Sequence, residues 1–356
     1  MRNPLVMLPR PREIQVDSSR TKLQEMAVIA ISEGGLLFEG QVVQRYLHEL
    51  GGVEWGIVVA AGRDDAGLVL TLDDGIKWAQ GYQLIVDMGQ MLIRAADAAG
   101  IFYGVCTLGQ LLRHYGGELP NITIVDSPDF PVRGVMLDVS RDKVPTMETL
   151  YGLIDRLASW KINQVQLYME HTFAYREHEQ VWRNASPFTG QELLELDVFC
   201  RERHIDLVPN QNSLGHMERW LKFEEYQHLA ECPDGFIGDF GDHMGERRPA
   251  MSLNVVEEAS IEFVAGLYDA LLPHFSSGLV NVGGDEPWEL GKCRSKAVVE
   301  ERGQGRVYVD YLRKLHEIVS LHGRRMMFWA DVIVKYPALI RDMPLDAIAL
   351  EWGYYM

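Results

Sequence analysis

Asn281-Val282-Gly283-Gly284-Asp285-Glu286 joins an apolar run, Gly278 to Val282, to two glycines and two adjacent carboxylates. An apolar strand ending in glycines sets such an acid pair at the strand's C-terminal edge, where parallel-barrel enzymes assemble their sites. Glycine removes the side chain that would keep a ligand off the backbone. Two partly buried neighbouring acids raise each other's proton affinity, which yields one proton donor and one anion. An ordinary acidic turn has the same composition, so the pair needs its surroundings to be read.

Those surroundings come from the ends of other apolar runs. Asp138 and Arg141, Glu170 and His171, Asn210, Asn212 and His216, Trp329 and Asp331, and Glu351 and Trp352 each follow one. In a parallel barrel all of these ends face one side. Carboxylates with accessible tryptophans suit a sugar, whose hydroxyls need fixed hydrogen-bonding partners and whose ring face stacks on an aromatic. Singly, His216 reads as a structural histidine and the tryptophans as core. Together they converge on one rim. The histidines are scattered and no HExxH occurs, so no metal site is read; no glycine loop has phosphate-binding spacing, so no cofactor is expected.

Adjacency also restricts mechanism. An ordinary retaining glycosidase holds two carboxyls about 5 Å apart across the scissile bond, on separate elements. Consecutive residues do not bracket a bond that way. They suit a division of labour, in which Glu286 protonates the leaving oxygen and Asp285 steadies a nucleophile that the substrate carries, such as a 2-acetamido group.

The elements that must position these residues begin after Val132. Strands are expected at Gly134–Val139, Asn163–Met169, Ile205–Pro209, Leu279–Val282, Arg325–Trp329 and Ala347–Trp352. Helices are expected at Met147–Trp160, Gly190–Arg203, Val256–Leu272, Val307–Gly323 and near Pro337–Ile340. Alternating units of this length predict parallel strands with right-handed crossovers. The fold class is therefore α/β, a (β/α)8-type TIM barrel with about six of eight strands, over residues 126–356. Residues 1–125 read as a small α+β domain. Its expected strands are Ala27–Ile31, Gly56–Ala60, and a hairpin of Tyr82–Val86 with Met91–Ala95; its helices are Gln41–Leu50 and Gly100–Tyr115. Asn121–Pro131, with Pro120, Pro128 and Pro131 in or beside it, reads as a linker.

A chain of 356 residues with 47% hydrophobic content has room for a large core. Its net charge of −17 argues against nucleic acid and anionic membranes, and is compatible with a neutral substrate. No apolar run reaches membrane-spanning length, and Met1–Gln15 has no apolar signal-like core. The four cysteines lack metal spacing and read as reduced, packed thiols of a cytoplasmic protein. An open barrel edge predicts a partner or self-association as a homo-oligomer.

In order along the chain, four segments resemble glycoside hydrolase family 20, the β-N-acetylhexosaminidases. Gly100-Ile101-Phe102-Tyr103-Gly104 through Leu111 resembles the helix closing that family's small domain. Asp126-Ser127-Pro128 with Arg133-Gly134-Val135-Met136-Leu137-Asp138 resembles its entry into the barrel. Leu214-Gly215-His216 is similar to its Pro-Gly-His segment, and Gly283-Gly284-Asp285-Glu286 matches its catalytic motif. The Glu170 and His216 segments look most like a divergent branch of small exo-acting enzymes.

The resemblance implies retaining, substrate-assisted release of terminal β-linked GlcNAc or GalNAc from a glycan. Glu286 would be general acid and base, and Asp285 would stabilise an oxazolinium-like intermediate. Arg133 would hold the sugar's outer hydroxyls, Trp329 and Trp352 would wall the acetamido pocket, and His216 with Glu170 would tune Glu286. Asn281 stands where the family usually has His, and the family's tyrosine and tryptophan from strands seven and eight have no counterpart here. A carbohydrate-binding homologue without turnover, and a glycosidase pairing Glu170 or Glu351 with Glu286, are the rival readings.

Overall fold

The computed structural model describes residues 5–60, 66–238 and 243–353. They fall into two compact units. One comprises residues 1–133 with 152–163 and 201–205; the other comprises 134–151, 164–200 and 206–356.

In the first unit the elements run β1 (Glu13–Lys22), β2 (Val28–Ile31), α1 (Leu37–Tyr46), β3 (Gly56–Val59), β4 (Leu68–Leu72), β5 (Tyr82–Asp87), β6 (Gln90–Ala95), α2 (Ala98–Tyr115) and β7 (Glu118–Asp126). They form one mixed sheet in the order β1-β7-β5-β6-β4-β2-β3. The β5–β6 hairpin is as expected: Asp87 pairs with Gln90 across Met88 and Gly89, at φ 44° and 87°. Two positive φ values in a two-residue loop match the right-handed twist of the flanking strands. α2 packs on β5 and β6, burying Ile101, Phe102, Val105, Leu108, Leu111 and Leu112. Asp97 caps it by accepting the Gly100 N–H at 2.8 Å.

The expected linker is corrected. Asn121–Asp126 belongs to β7, which pairs with β1 and β5 and turns Ile122 and Ile124 inward. The expected domain boundary at 125/126 therefore falls at the end of a sheet strand. β1 went unread because eight of its ten residues are exposed in a row, which leaves no alternation.

With residues 152–163 and 201–205 counted in the first unit, the chain from Gly134 onward follows the expected alternation. Its elements are β8 (Gly134–Asp138), α3 (Met147–Ser159), β9 (Gln164–Met169), α4 (Glu179–Trp182), α5 (Gly190–Glu202), β10 (Asp206–Gln211), α6 (Glu218–Leu221), β11 (Phe236–Ile237), β12 (Arg247–Arg248), α7 (Glu258–Leu271), β13 (Leu279–Asn281), α8 (Lys296–Arg302), α9 (Gln304–Leu321), β14 (Arg325–Trp329) and β15 (Ile348–Leu350). Six strands form a sheet in the order β15-β14-β13-β10-β9-β8, every neighbouring pair parallel. Every residue of β9 is buried, as in strands covered on both faces. Strand order equals chain order, so all C-terminal ends open on one edge. This is the barrel-type α/β architecture expected, with six strands among the described residues. No helix among them is long and apolar enough to cross a membrane.

Candidate active site

β13 stops at Asn281, and the chain leaves it through a left-handed turn. Gly283 and Gly284 have φ of 71° and 87°, and Glu286 has 46°. That region is open to glycine and costs other residues roughly 1–2 kcal/mol. A Cβ on Gly283 would lie 2.0 Å from Asn212 Oδ1, so space and conformation both demand glycine. Asn281 Oδ1 accepts the Gly283 N–H at 3.0 Å, and Tyr308 OH donates to Gly284 O at 3.0 Å. Beneath the turn, Gln166 Oε1 accepts from Asn210 Nδ2 at 3.2 Å and Asn281 Nδ2 at 3.0 Å. Asn210, Asn212 and Asn281 are fully buried. Through Gln166, Asn210 and Asn281 join β10 and β13 to β9.

His216 comes from the loop after β10. Its backbone is also left-handed, at φ 58°, and a Cβ on Gly215 would lie 2.5 Å from the Asp285 carbonyl oxygen. This close approach puts His216 Nε2 at 3.4 Å from both Asp285 Oδ2 and Glu286 Oε2. Burial alone would lower the imidazole's pKa. Asp285 and Glu286 outweigh burial, Glu170 adds to them, and the value is pushed up to about 10. His216 is therefore a cation at neutral pH, clamped between two acids. One ligand atom from each of His216, Asp285 and Glu286 lies within 4.8 Å of the others, which a metal ion could use. A ligating imidazole must be neutral, so the proton competes for that place.

Glu170, the first residue after β9, is buried and accepts from Tyr168 OH at 3.0 Å. Burial raises its pKa; His216, Tyr168 and Arg141 oppose that rise. Arg141 lies three residues past β8. Its Nε sits 2.6 Å from Asp138 Oδ2 and 3.8 Å from Glu170 Oε1, and its guanidinium lies 4.7 Å over the Tyr168 ring. Asp285 is asymmetric: Oδ2 faces His216, while Oδ1 is buried without a hydrogen-bond partner among the described residues. Trp329 ends β14 half-buried, and its backbone N–H donates to Gly283 O at 2.9 Å. Trp352 stands two residues past β15 and is 38% exposed. Both tryptophans follow strand ends on the edge that carries the acid pair.

Arg133 is elsewhere, and its expected substrate role is corrected. It precedes the N-terminal end of β8, whereas the acids follow the C-terminal end of β13. Its guanidinium donates to Lys161 O at 2.7 Å, Phe130 O at 2.8 Å, Gln80 Oε1 at 2.9 Å and Tyr103 OH at 3.1 Å. Arg141, in Asp138-Val139-Ser140-Arg141, is the arginine of the rim. We expect Arg133→Ala to lower stability by about 1–3 kcal/mol with KM unchanged. Arg141→Ala should raise KM with little change in melting temperature. The opposite assignment of the two effects would restore Arg133 to the site.

The reading of four reduced thiols is also corrected. Cys232 and Cys293 form a disulfide, while Cys106 and Cys200 are buried thiols. The argument from thiols to a cytoplasmic setting goes with that reading. The bond ties the segment after the acid pair to the excursion after β10. Buried Glu231 reinforces it, accepting from Ser295 Oγ at 2.8 Å and Cys293 N–H at 3.1 Å. Trp288 packs on Cys232, Phe236 and Met251.

The raised His216 pKa carries a stability consequence. A histidine whose folded pKa exceeds its unfolded one contributes stability that is full below the unfolded value and lost as pH rises through the folded value. Here that window runs from 6.5 to about 10. Denaturation midpoints of the parent should fall across it, and His216→Gln should flatten that fall. Equal slopes in both proteins would remove His216 from the account.

The sequence model of the glycosyl hydrolase family 20 catalytic domain matches residues 130–354, and that of domain 2 of the same family matches residues 6–127. A β-hexosaminidase of Akkermansia muciniphila is 27% identical over 283 residues, covering 70% of this chain and 55% of that protein. The β-hexosaminidase subunit beta of Felis catus is 24% identical over 283 residues, covering 73% and 51%. The chain thus spans about half the length of these relatives. Among solved structures, a chitobiase of Flavobacterium johnsoniae superposes with a TM-score of 0.80 at 21% identity, over 98% of this chain and 55% of that one. With the catalytic-domain match covering more than half of its length, the chain belongs to glycosyl hydrolase family 20.

Proposed function

We propose that this chain carries the acid pair of a retaining exo-β-N-acetylhexosaminidase acting on terminal β-linked GlcNAc or GalNAc by substrate assistance. One observation carries the reading. Asp285 has one oxygen facing protonated His216 and the other buried and without a partner among the described residues, next to Glu286. A buried carboxylate oxygen without a donor is costly, and an acetamido N–H supplies that donor.

The acetamido carbonyl oxygen attacks the anomeric carbon as Glu286 gives its proton to the departing glycosidic oxygen. The resulting oxazolinium ion carries positive charge, which the Asp285 carboxylate faces while holding the N–H. Glu286, now a base, takes a proton from the water that attacks the same carbon and opens the ring. Two inverting displacements on opposite faces of one carbon retain configuration. Arg141 offers donors to the outer hydroxyls, and Trp329 and Trp352 offer ring faces.

Paired assays of an aryl β-N-acetylglucosaminide and the matching aryl β-glucoside test this. Strong preference for the acetamido sugar, with inhibition by a thiazoline mimic of the intermediate, supports it. Equal cleavage of the plain glucoside would overturn substrate assistance. Calorimetric binding of GlcNAc with no turnover on long incubation would favour a sugar-binding protein instead. We also propose self-association over β8 and β15, whose ends of the sheet keep exposed residues such as Met136. Sedimentation as a monomer at micromolar concentration would overturn it.

A further inference from the structure

Glu286 does not hold its own position. A glutamate at φ 46° sits in a region that non-glycine residues enter at a cost, and the surroundings must enforce it. Two hydrogen bonds do so. The Trp288 N–H donates to Glu286 O at 2.7 Å, and the Glu286 N–H donates to Asp331 Oδ2 at 3.2 Å. The first is a local turn bond that many sequences supply. The second comes from one side chain on the neighbouring strand end, two residues past β14.

Asp331 is kept there at a cost. Its Oδ1 is buried with no hydrogen-bond partner among the described residues. Burial first, then the charges of Asp285 and Glu286, push its pKa up to about 6, against the Glu286 N–H and Lys335, which lower it. A third carboxylate beside two acids works against electrostatic stability. An ionised acceptor nevertheless makes the stronger bond to a backbone N–H, and that bond fixes the residue on which proton delivery depends. A displacement of even 1 Å at such a group costs heavily in rate.

We propose that Asp331 is a positioning residue, whose capture of the Glu286 N–H holds that residue in the left-handed conformation from which its carboxyl meets the leaving-group oxygen. The inference rests on the reading of Glu286 as proton donor. It goes beyond that reading by naming what aims the donor and which substrates feel its loss.

The test uses leaving groups of different need. A dinitrophenyl β-N-acetylglucosaminide departs almost without protonation; an alkyl β-N-acetylglucosaminide does not. Asp331→Leu should lose about 10²–10³-fold in kcat/KM, which reports the first step alone, on the alkyl glycoside and less than about 10-fold on the dinitrophenyl one. Asp331→Asn keeps an acceptor oxygen and should recover most of the loss. If the leucine variant does not fold, as judged by near-ultraviolet circular dichroism, Asp331→Ser replaces it, since a serine hydroxyl is too short to reach. Equal losses on both substrates, or no loss on the alkyl one, overturn the proposal. A parent protein that cleaves neither substrate overturns the functional reading, and this proposal with it, which is a different result from uniform loss in an active parent.

Discussion

Glu286→Gln should lower kcat on an alkyl β-N-acetylglucosaminide by about 10³-fold, within the 10²–10⁴ range of positioned acid–base groups. Glutamine keeps the shape and the backbone contact to Asp331 but has no proton to give the departing alkoxide. On a dinitrophenyl glycoside the first step needs no acid, so the loss should shift to the second step, where Glu286 would have served as base. A small nucleophilic anion such as azide needs no base and should restore turnover there, with a β-glycosyl azide as product. Measuring both substrates with and without azide separates the two roles. A variant that loses the same factor on both, with no azide effect, would mean that Glu286 shapes the site without handling the proton.

Asp285→Asn should cost about 10²–10³-fold in kcat/KM, the scale found for one group aimed at developing charge. On the proposed mechanism the residue meets charge that develops only as the acetamido group closes on the anomeric carbon. The loss should therefore track affinity for the charged state. The inhibition constant of a thiazoline should rise by a factor similar to the fall in kcat/KM, while GlcNAc itself, which lacks that charge, should bind nearly as before. An unchanged thiazoline constant would remove Asp285 from the intermediate. The variant also leaves His216 with one acid in place of two, which makes the histidine's titration a second readout of the same change.

Much of this arrangement could be read before any coordinates. Strand and helix alternated at the right intervals because the interior strands of the second unit are covered on both faces. Their apolar runs, as at Val165–Met169 and Leu279–Val282, therefore stand out against amphipathic helices. Once the strands were parallel, the residues after each had to share an edge, and this brought Glu170, His216, Asp285, Glu286 and Asp331 together without any pairwise information. What failed did so for local reasons. Pro120, Pro128 and Pro131 hid β7, although Ile122 and Ile124 alternate as a half-buried strand should.

Arg133 and Arg141 flank the same short strand, and the choice between them turns on which end is meant. Residues before a parallel strand lie on the face away from the site, and Arg141 stands on the correct side. The Cys232–Cys293 pairing was invisible because 61 positions separate the two residues. Only the path of the segments after β10 and β13 brings them together. No linear pattern marks the fit of His216 between two acids, since it depends on two separate turns meeting.

The backward-wound turn from Gly283 to Glu286 bears on how freely this protein can vary. A saturation library across the stretch should tolerate almost nothing at position 283, where every side chain would both strain the chain and strike Asn212. Position 284 should admit few alternatives to glycine, with asparagine the least harmful. A few residues away, the solvent-facing side of α8 should accept most polar choices, since none of its side chains is buried. Mutational robustness in this molecule is thus set by chain handedness at one corner, and a designer moving the acid pair to another scaffold must carry that corner with it.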